Sequence, residues 1–358
     1  MTAVRRYFYS PLESPSLRAN SDMSCMQPAL HASLKIARDL QLFEKWHEQG
    51  DGLVGCQSGL LVRILRHLEA NYVLEQVSAD TFKPSRFSLA LLQPEVGEWI
   101  TFLYDATIPC FHKAPWYLES TNYTNPSDLN NCIFQSAKGG FKGDFFQYYT
   151  ENPREGAAFN TIMGSVVAAQ TNWLDIIPVQ EHILADADPD PSSPLIVDVG
   201  GNIGHDMEKV RLAFPDLASR FYLQDLPAVI ARAKCPDPVH KIAHDFFQPQ
   251  SVHGARVYYL HGVLHDWPDE TAKQILLMLK GAMKCGYSKL LIHDHVIPEA
   301  DVHPYTTSFD LGMMVLFAGK ERTERKWRAL LLSAGYSFVR IWRSPLAVQA
   351  IVEVELTE

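Results

Sequence analysis

The residues able to do chemistry fall in two stretches of the chain. The first, 256–270, reads RVYYLHGVLHDWPDE. An apolar run ends near Leu260, and His261, His265 and Asp266 follow it. Histidine is the natural general base near neutral pH. Two histidines four apart could also ligate a metal from one helical face. No third ligand is evident and Gly262 weakens a regular helix, so no metal is expected. Asp266 ahead of Trp267-Pro268 suits a helix N-cap, which accounts for Asp266 and leaves His265 unexplained. The second stretch, 195–225, reads LIVDVGGNIGHDMEKVRLAFPDLASRFYLQD. Asp198 sits near the end of its first apolar run, and Gly200, Gly201 and Gly204 follow. Small residues let a ligand approach the backbone, and a helix start favours an anionic group. Asp225 closes the second run, where a carboxylate is placed to hold both hydroxyls of a ribose. A dinucleotide fingerprint needs glycine where Val199 stands, and a Walker loop needs Gly-Lys-Ser/Thr, which is absent. The bland alternative is a tight strand-to-helix turn with no ligand.

Positioning these residues requires a sheet with its chemistry at one edge. Strands are expected at 195–199, 220–224, 241–244, 256–260, 289–293, 338–342 and 348–356, with helices at 206–214, 226–233, 268–284 and 324–334. Strands alternating with helices imply a Rossmann-like, doubly wound α/β sheet, with ligands at the carboxyl ends of its strands. The last strand follows its neighbour across a short RSPLA turn, so these two should run antiparallel. A Pro/Asp/Ser linker at 184–194 precedes the sheet. Upstream, residues 27–47 read as one amphipathic helix, 58–71 as a second, and 72–77 with 86–89 as two short strands around a polar turn. Helix and hairpin together give a winged-helix-like module. It is poor in lysine and arginine, so dimerisation is expected of it rather than DNA binding. The expected domains are 1–120 for this module and 121–358 for the second domain, whose core sheet begins at 194. Residues 155–173 read as the strongest helix, with Phe159, Ile162, Met163, Val166, Val167 and Gln170 at helical spacing. Such a stripe is usually core, although Met163 could wall a flat apolar substrate, as could Met314 and Phe317.

Composition excludes several classes. The chain has 358 residues, 47% hydrophobic and 20% charged, an ordinary globular balance. No 18-residue apolar run offers a membrane span, and the net charge of -9 argues against nucleic acid. Six scattered cysteines read as reduced thiols, and no signal peptide is evident, so a cytoplasmic protein is expected.

The block Asp-Val-Gly-Gly-x-x-Gly, with an acid ending the next strand, resembles motif I of S-adenosylmethionine-dependent methyltransferases. Further blocks follow in order: QDLPAVI, HDFFQP, LHGVLHDWPDE, LLIHDHVIPE and DLGMMVLFAGKERTERKWRALLLSAGY. Over residues 27–358 the chain resembles the caffeate O-methyltransferase-like group of plant and fungal small-molecule O-methyltransferases. The resemblance implies a cofactor loop at Gly200, with Asp198, Gly201, Gly204 and Leu226 in the same site and Asp225 on the ribose. It implies Asp245 and Phe246 flanking the adenine and Trp267 stacking on it. His261 stands where the family often carries a cofactor-contacting lysine. His265 matches the catalytic base, and Asp294 and Glu321 match the acids that flank and orient it. Three departures stand out: Asn202 replaces a common third glycine, the N-terminal arm is short, and 48–58 lacks the usual extra helix.

Methyl transfer from a sulfonium is an in-line displacement that needs a deprotonated oxygen held close to the methyl carbon. A phenol has a pKa near ~10, so a positioned base helps at neutral pH. The expected function is methyl transfer to a hydroxyl of a phenolic or enolic, aromatic or polyketide-like secondary metabolite. The expected cofactor is S-adenosyl-L-methionine, and the expected assembly a homodimer without nucleic acid or membrane. One rival keeps the fold but uses the bound cofactor as an unreactive cation in a pericyclic or dehydration reaction. Another is a non-catalytic winged-helix regulator, which has no need of His265, Asp294 and Glu321 together.

Overall fold

The computed structural model describes residues 15–49, 55–169, 171–345 and 347–357. The chain divides into two compact units. One is drawn from residues up to Ile108 with Ala157–Ile162, and the other from Pro109–Gly156 and Met163 onward.

In the first unit the apolar spacing yields helices α1 (Pro15–Asp39), α2 (Leu42–Gln49) and α3 (Ser58–Ala70), then strands β1 (Leu74–Ser78) and β2 (Thr81–Pro84). The single helix expected over 27–47 is two, because Gln41 takes a left-handed φ of 52° between them. That conformation cannot continue a right-handed helix. The strand expected at 86–89 is instead helix α4 (Arg86–Ala90). Ser85 decides this: its side chain accepts from the amides of Phe87 and Ser88, while Ser88 caps back onto the Ser85 amide. The hairpin therefore closes earlier, with β1 and β2 paired antiparallel from Leu74–Pro84 to Ser78–Thr81. Helix α5 (Pro94–Phe102) follows. Leu34, Ala37, Leu42, Phe43, Leu65 and Leu68 are among the apolar residues buried in this unit. Residues 50–54 of the 48–58 segment lie outside those described.

Helices α6 (Ile108–Ser120), α7 (Ile133–Ala137), α8 (Phe145–Glu151) and α9 (Pro153–Ala169) come next. From Pro109, α6 belongs to the second unit. The helix expected over 155–173 starts two residues earlier than read and is described to Ala169. Gln170 and the side chain of Val167 lie outside the described residues. Trp173 begins a separate turn, because Asn172 caps the amide of Leu174 at 3.1 Å.

The second unit is built on strands β3 (Ile196–Val199), β4 (Phe221–Asp225), β5 (His240–Ala243), β6 (Val257–His261) and β7 (Lys289–Asp294). Two short strands, β8 (Val296–Ile297) and β9 (Arg322–Thr323), pair with each other, and β10 (Tyr336–Trp342) and β11 (Ala350–Leu356) complete the sheet. The seven-stranded order is β10-β11-β7-β6-β3-β4-β5. Pairs among β3 to β7 are parallel, and β11 runs antiparallel to both neighbours, as the short RSPLA turn requires.

Successive strand residues face opposite sides, which splits the core into two layers. Val197, Val199, Tyr258, Leu260, Leu290 and Ile292 point to one face. Helices α12 (Asp269–Lys280) and α14 (Glu324–Ser333) cover that face with Ile275, Leu276, Trp327 and Leu331. Ile196, Val257, Tyr259, Leu291 and Ile351 point to the other, beneath α10 (His205–Ala213) with Met207 and Val210. Each large apolar side chain fully buried in these layers contributes about 1.5–3 kcal/mol. Helices α11 (Pro227–Ile230), α12 and α14 end earlier than their sequence patterns. Helix α13 (Pro304–Phe317) was not read from the sequence, because it is apolar around most of its circumference and gives little periodic signal.

Candidate active site

The sheet's carboxyl edge collects nearly every residue singled out by type. After β3 the chain turns through Gly200, Gly201, Asn202 and Gly204 into α10. Gly204 has φ 92°, and a Cβ there would lie 2.0 Å from the Cys235 sulfur, so only glycine fits. Asn202 takes the left-handed φ of 54° at the position of the common third glycine, a conformation its short polar side chain tolerates. The amides of Gly200 and Gly201 donate to the Gln224 carbonyl at 2.9 and 3.1 Å, locking the loop against the end of β4.

Asp225 is fixed beside this loop. One carboxylate oxygen accepts from the Asn202 amide at 2.8 Å and the other from the Leu226 amide at 2.7 Å. Burial raises its pKa, against the lowering effect of those amides. Leu226 itself is half exposed. Asp198 is buried, and among the described residues neither of its oxygens has a hydrogen-bond partner. Burial first, and then the nearby Asp206 and Asp225, push its pKa well above the usual carboxylate range. After β5, Asp245 accepts from the Phe247 amide at 3.0 Å. The half-buried Phe246 ring lies against the loop, 3.5 Å from where a Gly200 Cβ would be. Trp267 is 6% exposed, with Phe246 and Phe247 set edge-on to it at 5.9 and 5.0 Å.

His261 ends β6 with both ring nitrogens engaged inside the protein. Nδ1 bonds the Asp206 carboxylate, Nε2 lies 3.0 Å from Gln349 Oε1, and the ring stacks on His293 at 4.1 Å. The structure thus uses His261 to tie β6 to the start of α10, and neither nitrogen is left over for a ligand.

His265 sits in a one-turn helix, Leu264–Asp266. Its Nδ1 is 2.8 Å from Glu321 Oε1, which leaves Nε2 as the other working atom, 3.5 Å from Asp266 Oδ1. Lys320 donates its amide to the His265 carbonyl at 2.9 Å. This close pass requires Gly319, where a Cβ would lie 2.3 Å from that carbonyl. Arg322, with no side-chain exposure, clamps the arrangement by donating to the carbonyls of Leu264 and Trp267, each at 2.8 Å, and to Asp269 at 2.9 Å. The Glu321 amide donates to Asp310 Oδ1 at 2.8 Å. Burial disfavours charge on both members of the pair. Glu321, Asp266 and Asp294 outweigh it at His265 and raise that imidazole, while His265 and His295 outweigh it at Glu321 and lower that carboxyl. Asp294 ends β7 fully buried, with neither oxygen hydrogen-bonded among the described residues, and burial pushes it up to about 6. Of the two acids expected to orient His265, Glu321 touches it, whereas Asp294 acts on it only through space.

The apolar candidates are all residues of the second unit. Met163 on α9 and Met314 on α13 are half-buried. Phe317 is buried, with its ring 4.2 Å from that of Phe145. Phe317 also lines a narrow recess with Leu129, Phe145, Phe146, Asp266 and Trp267.

A family model described as an O-methyltransferase domain matches residues 123–337. O-methyltransferase mfmE of Annulohypoxylon moriforme is 57% identical over 345 residues, covering 94% of this chain and 85% of that protein. The chain belongs to the O-methyltransferase family. Among solved structures, LepI in complex with SAM gives a TM-score of 0.85 at 27% identity, covering 99% of this chain and 92% of that one. A chain described as a pericyclic reaction enzyme gives the same values. OxaC in complex with sinefungin and meleagrin gives 0.82 at 27%, covering 96% and 89%.

The methyltransferase depends on S-adenosylmethionine, and its own residues fit that group. A glycine-rich loop, the buried and unpaired carboxyl of Asp198 and the fixed carboxylate of Asp225 provide a cradle and polar partners for a cationic nucleoside. Sequence reading missed Asp206, His295, Asp310 and Arg322. Asp206 stands in the quoted motif and reads there as a first-turn helix acid. Arg322 lies inside KERTE, a charge run that reads as a solvated face. His295 and Asp310 reach the site only through the tertiary fold.

Proposed function

We propose that this methyltransferase moves a methyl group to a phenolic or enolic hydroxyl of a small aromatic or polyketide-like secondary metabolite, with His265 as the general base. The observation that carries the reading is the His265–Glu321 bond at 2.8 Å. It fixes the ring and leaves Nε2 for a substrate hydroxyl, while the carboxylate supports the imidazolium that forms. S-adenosylmethionine supplies, when bound, the methyl group on a positively charged sulfur. Asp198, Gly200, Gly201, Gly204, Asp225 and Leu226 would hold it, with Asp245, Phe246 and Trp267 toward the adenine. The carboxylates around His265 keep it protonated in the free protein, and a cation received into the site offsets them, favouring release of that proton. Met163, Met314 and Phe317 would contact the flat apolar substrate.

The raised His265 also favours a second reading, in which the imidazolium donates to a substrate carbonyl and no methyl is transferred. The likeness to a pericyclic reaction enzyme gives it a precedent in the fold. Mass spectrometry separates the two: products of the purified protein, S-adenosylmethionine and a panel of phenols should gain one methyl group. Conversion without that gain, and without consumption of S-adenosylmethionine, would support the second reading.

No helix among the described residues is long and apolar enough to cross a membrane. A cytoplasmic homodimer assembled through the N-terminal module completes the proposal.

A further inference from the structure

The proton-transfer cluster holds more donor atoms than a base and its acid require. His265 comes from the turn after β6, His295 from between β7 and β8, and Glu321 from just ahead of β9. One donor atom of each lies within 4.8 Å of the other two, and all three residues are buried. Glu321 Oε1 is 2.8 Å from His265 Nδ1 and 3.3 Å from His295 Nδ1. The second contact lacks hydrogen-bond geometry, so His295 Nδ1 is an unpaired buried atom, as is Glu321 Oε2. Buried polar atoms are normally paired, and two unpaired ones on neighbouring side chains call for an occupant.

Two imidazoles and one carboxylate are a familiar zinc donor set, with the fourth position open. In a tetrahedral site with ligands at roughly 2.0–2.1 Å, neighbouring donors stand about 3.4 Å apart. The His295–Glu321 separation already meets this value, and the His265–Glu321 pair need open by only about half an ångström to reach it. Asp266 and Asp294 add negative charge around the same ring, which suits a dication.

We infer that His265, His295 and Glu321 form a binding site for a divalent transition ion of the zinc type, and that the bound ion blocks methyl transfer. The ion replaces the proton on His265 Nδ1, detaches the ring from Glu321 and withdraws electron density from Nε2. Metal binding stands without the base assignment; only the block rests on it.

The test uses the full-length protein stripped of metal with a chelator. Titration with Co²⁺ should give one equivalent of intense visible bands, which Zn²⁺ then erases, and Zn²⁺ should stop methyl transfer reversibly. His295→Gln should abolish the bands, weaken zinc binding by about tenfold or more, and make the turnover the variant retains correspondingly less sensitive to Zn²⁺. Circular dichroism checks that the variant folds, and His295→Asn is the alternative should glutamine be too large. Wild-type protein without the bands, or a folded variant that binds zinc as tightly with the same cobalt spectrum, overturns the site. Zinc that binds through His295 yet leaves turnover unchanged overturns the block and counts against His265 as the base, while the site itself stands.

Discussion

Under the proposed function, Asp225 and His265 carry separable jobs, and single substitutions should show it. Among the described residues Asp225 accepts from two backbone amides, that of Leu226 beside it and that of Asn202 in the glycine loop, so its removal leaves the apolar core untouched. Asp225→Ala should weaken S-adenosylhomocysteine binding by on the order of 1.5–3 kcal/mol, the worth of hydrogen bonds to a charged acceptor, as read by isothermal titration. Unchanged affinity in a folded variant would remove Asp225 from the ribose site. The His265–Glu321 pair should leave a mark on stability against pH. His265 is raised from 6.5 to about 10, so its contribution is full below 6.5 and is lost as pH rises through about 10. Glu321 is lowered from 4.5 to about 2, so its contribution is full above 4.5 and is lost as pH falls through about 2. The melting-temperature gap between wild type and Glu321→Gln should therefore be widest between these windows and narrow toward pH 10. A gap that is constant with pH would mean that the pair is not ionised. The sequence showed both residues through their motif blocks, but it could not show which acid touches the base. Asp294 and Glu321 look alike as letters, and only the path of the chain after Gly319 brings Glu321 to 2.8 Å.

At the scale of elements, short continuous apolar runs made the central strands legible, because each is buried on both faces and ends at a turn. The errors arose where one side chain overrides a pattern. Ser85 converts an apparent strand into α4, and Gln41 breaks an apparent helix. Arg322 exerts the most leverage of this kind, since it joins β9 to the turn carrying His265 through two carbonyls and Asp269. Arg322→Ala strands two buried carbonyls and should cost on the order of 3 kcal/mol of stability by denaturant titration. It should also lower kcat more than it raises KM, because it displaces the base rather than the substrate. Arg322→Lys should recover only part of either loss, as an ammonium cannot reproduce the planar fork. A full recovery would show that charge alone is needed.

For the whole molecule, the alternation of strands with helices indicated the seven-stranded sheet, and the short RSPLA turn its antiparallel strand. Where the chain divides into units was harder to read, because α9 contributes residues to both. The amphipathic helix of the N-terminal module and its low basic content motivate the expectation of a homodimer. Sedimentation at micromolar concentration should give twice the 40.4 kDa chain mass. A monomer would leave that module without its proposed role.

The central claim is that His265 removes the proton of the hydroxyl that is methylated. The most direct measurement is the rate of methyl transfer by wild type and His265→Ala across phenols of graded acidity. The expected loss is about 10²–10⁴-fold for ordinary phenols, with cofactor affinity nearly intact, and it should shrink as the phenol becomes acidic enough to ionise unaided. Glu321→Gln should lose less, since it orients the base and takes no proton. Equal losses for acidic and ordinary phenols, or a variant that methylates all of them at the wild-type rate, would contradict the general-base role.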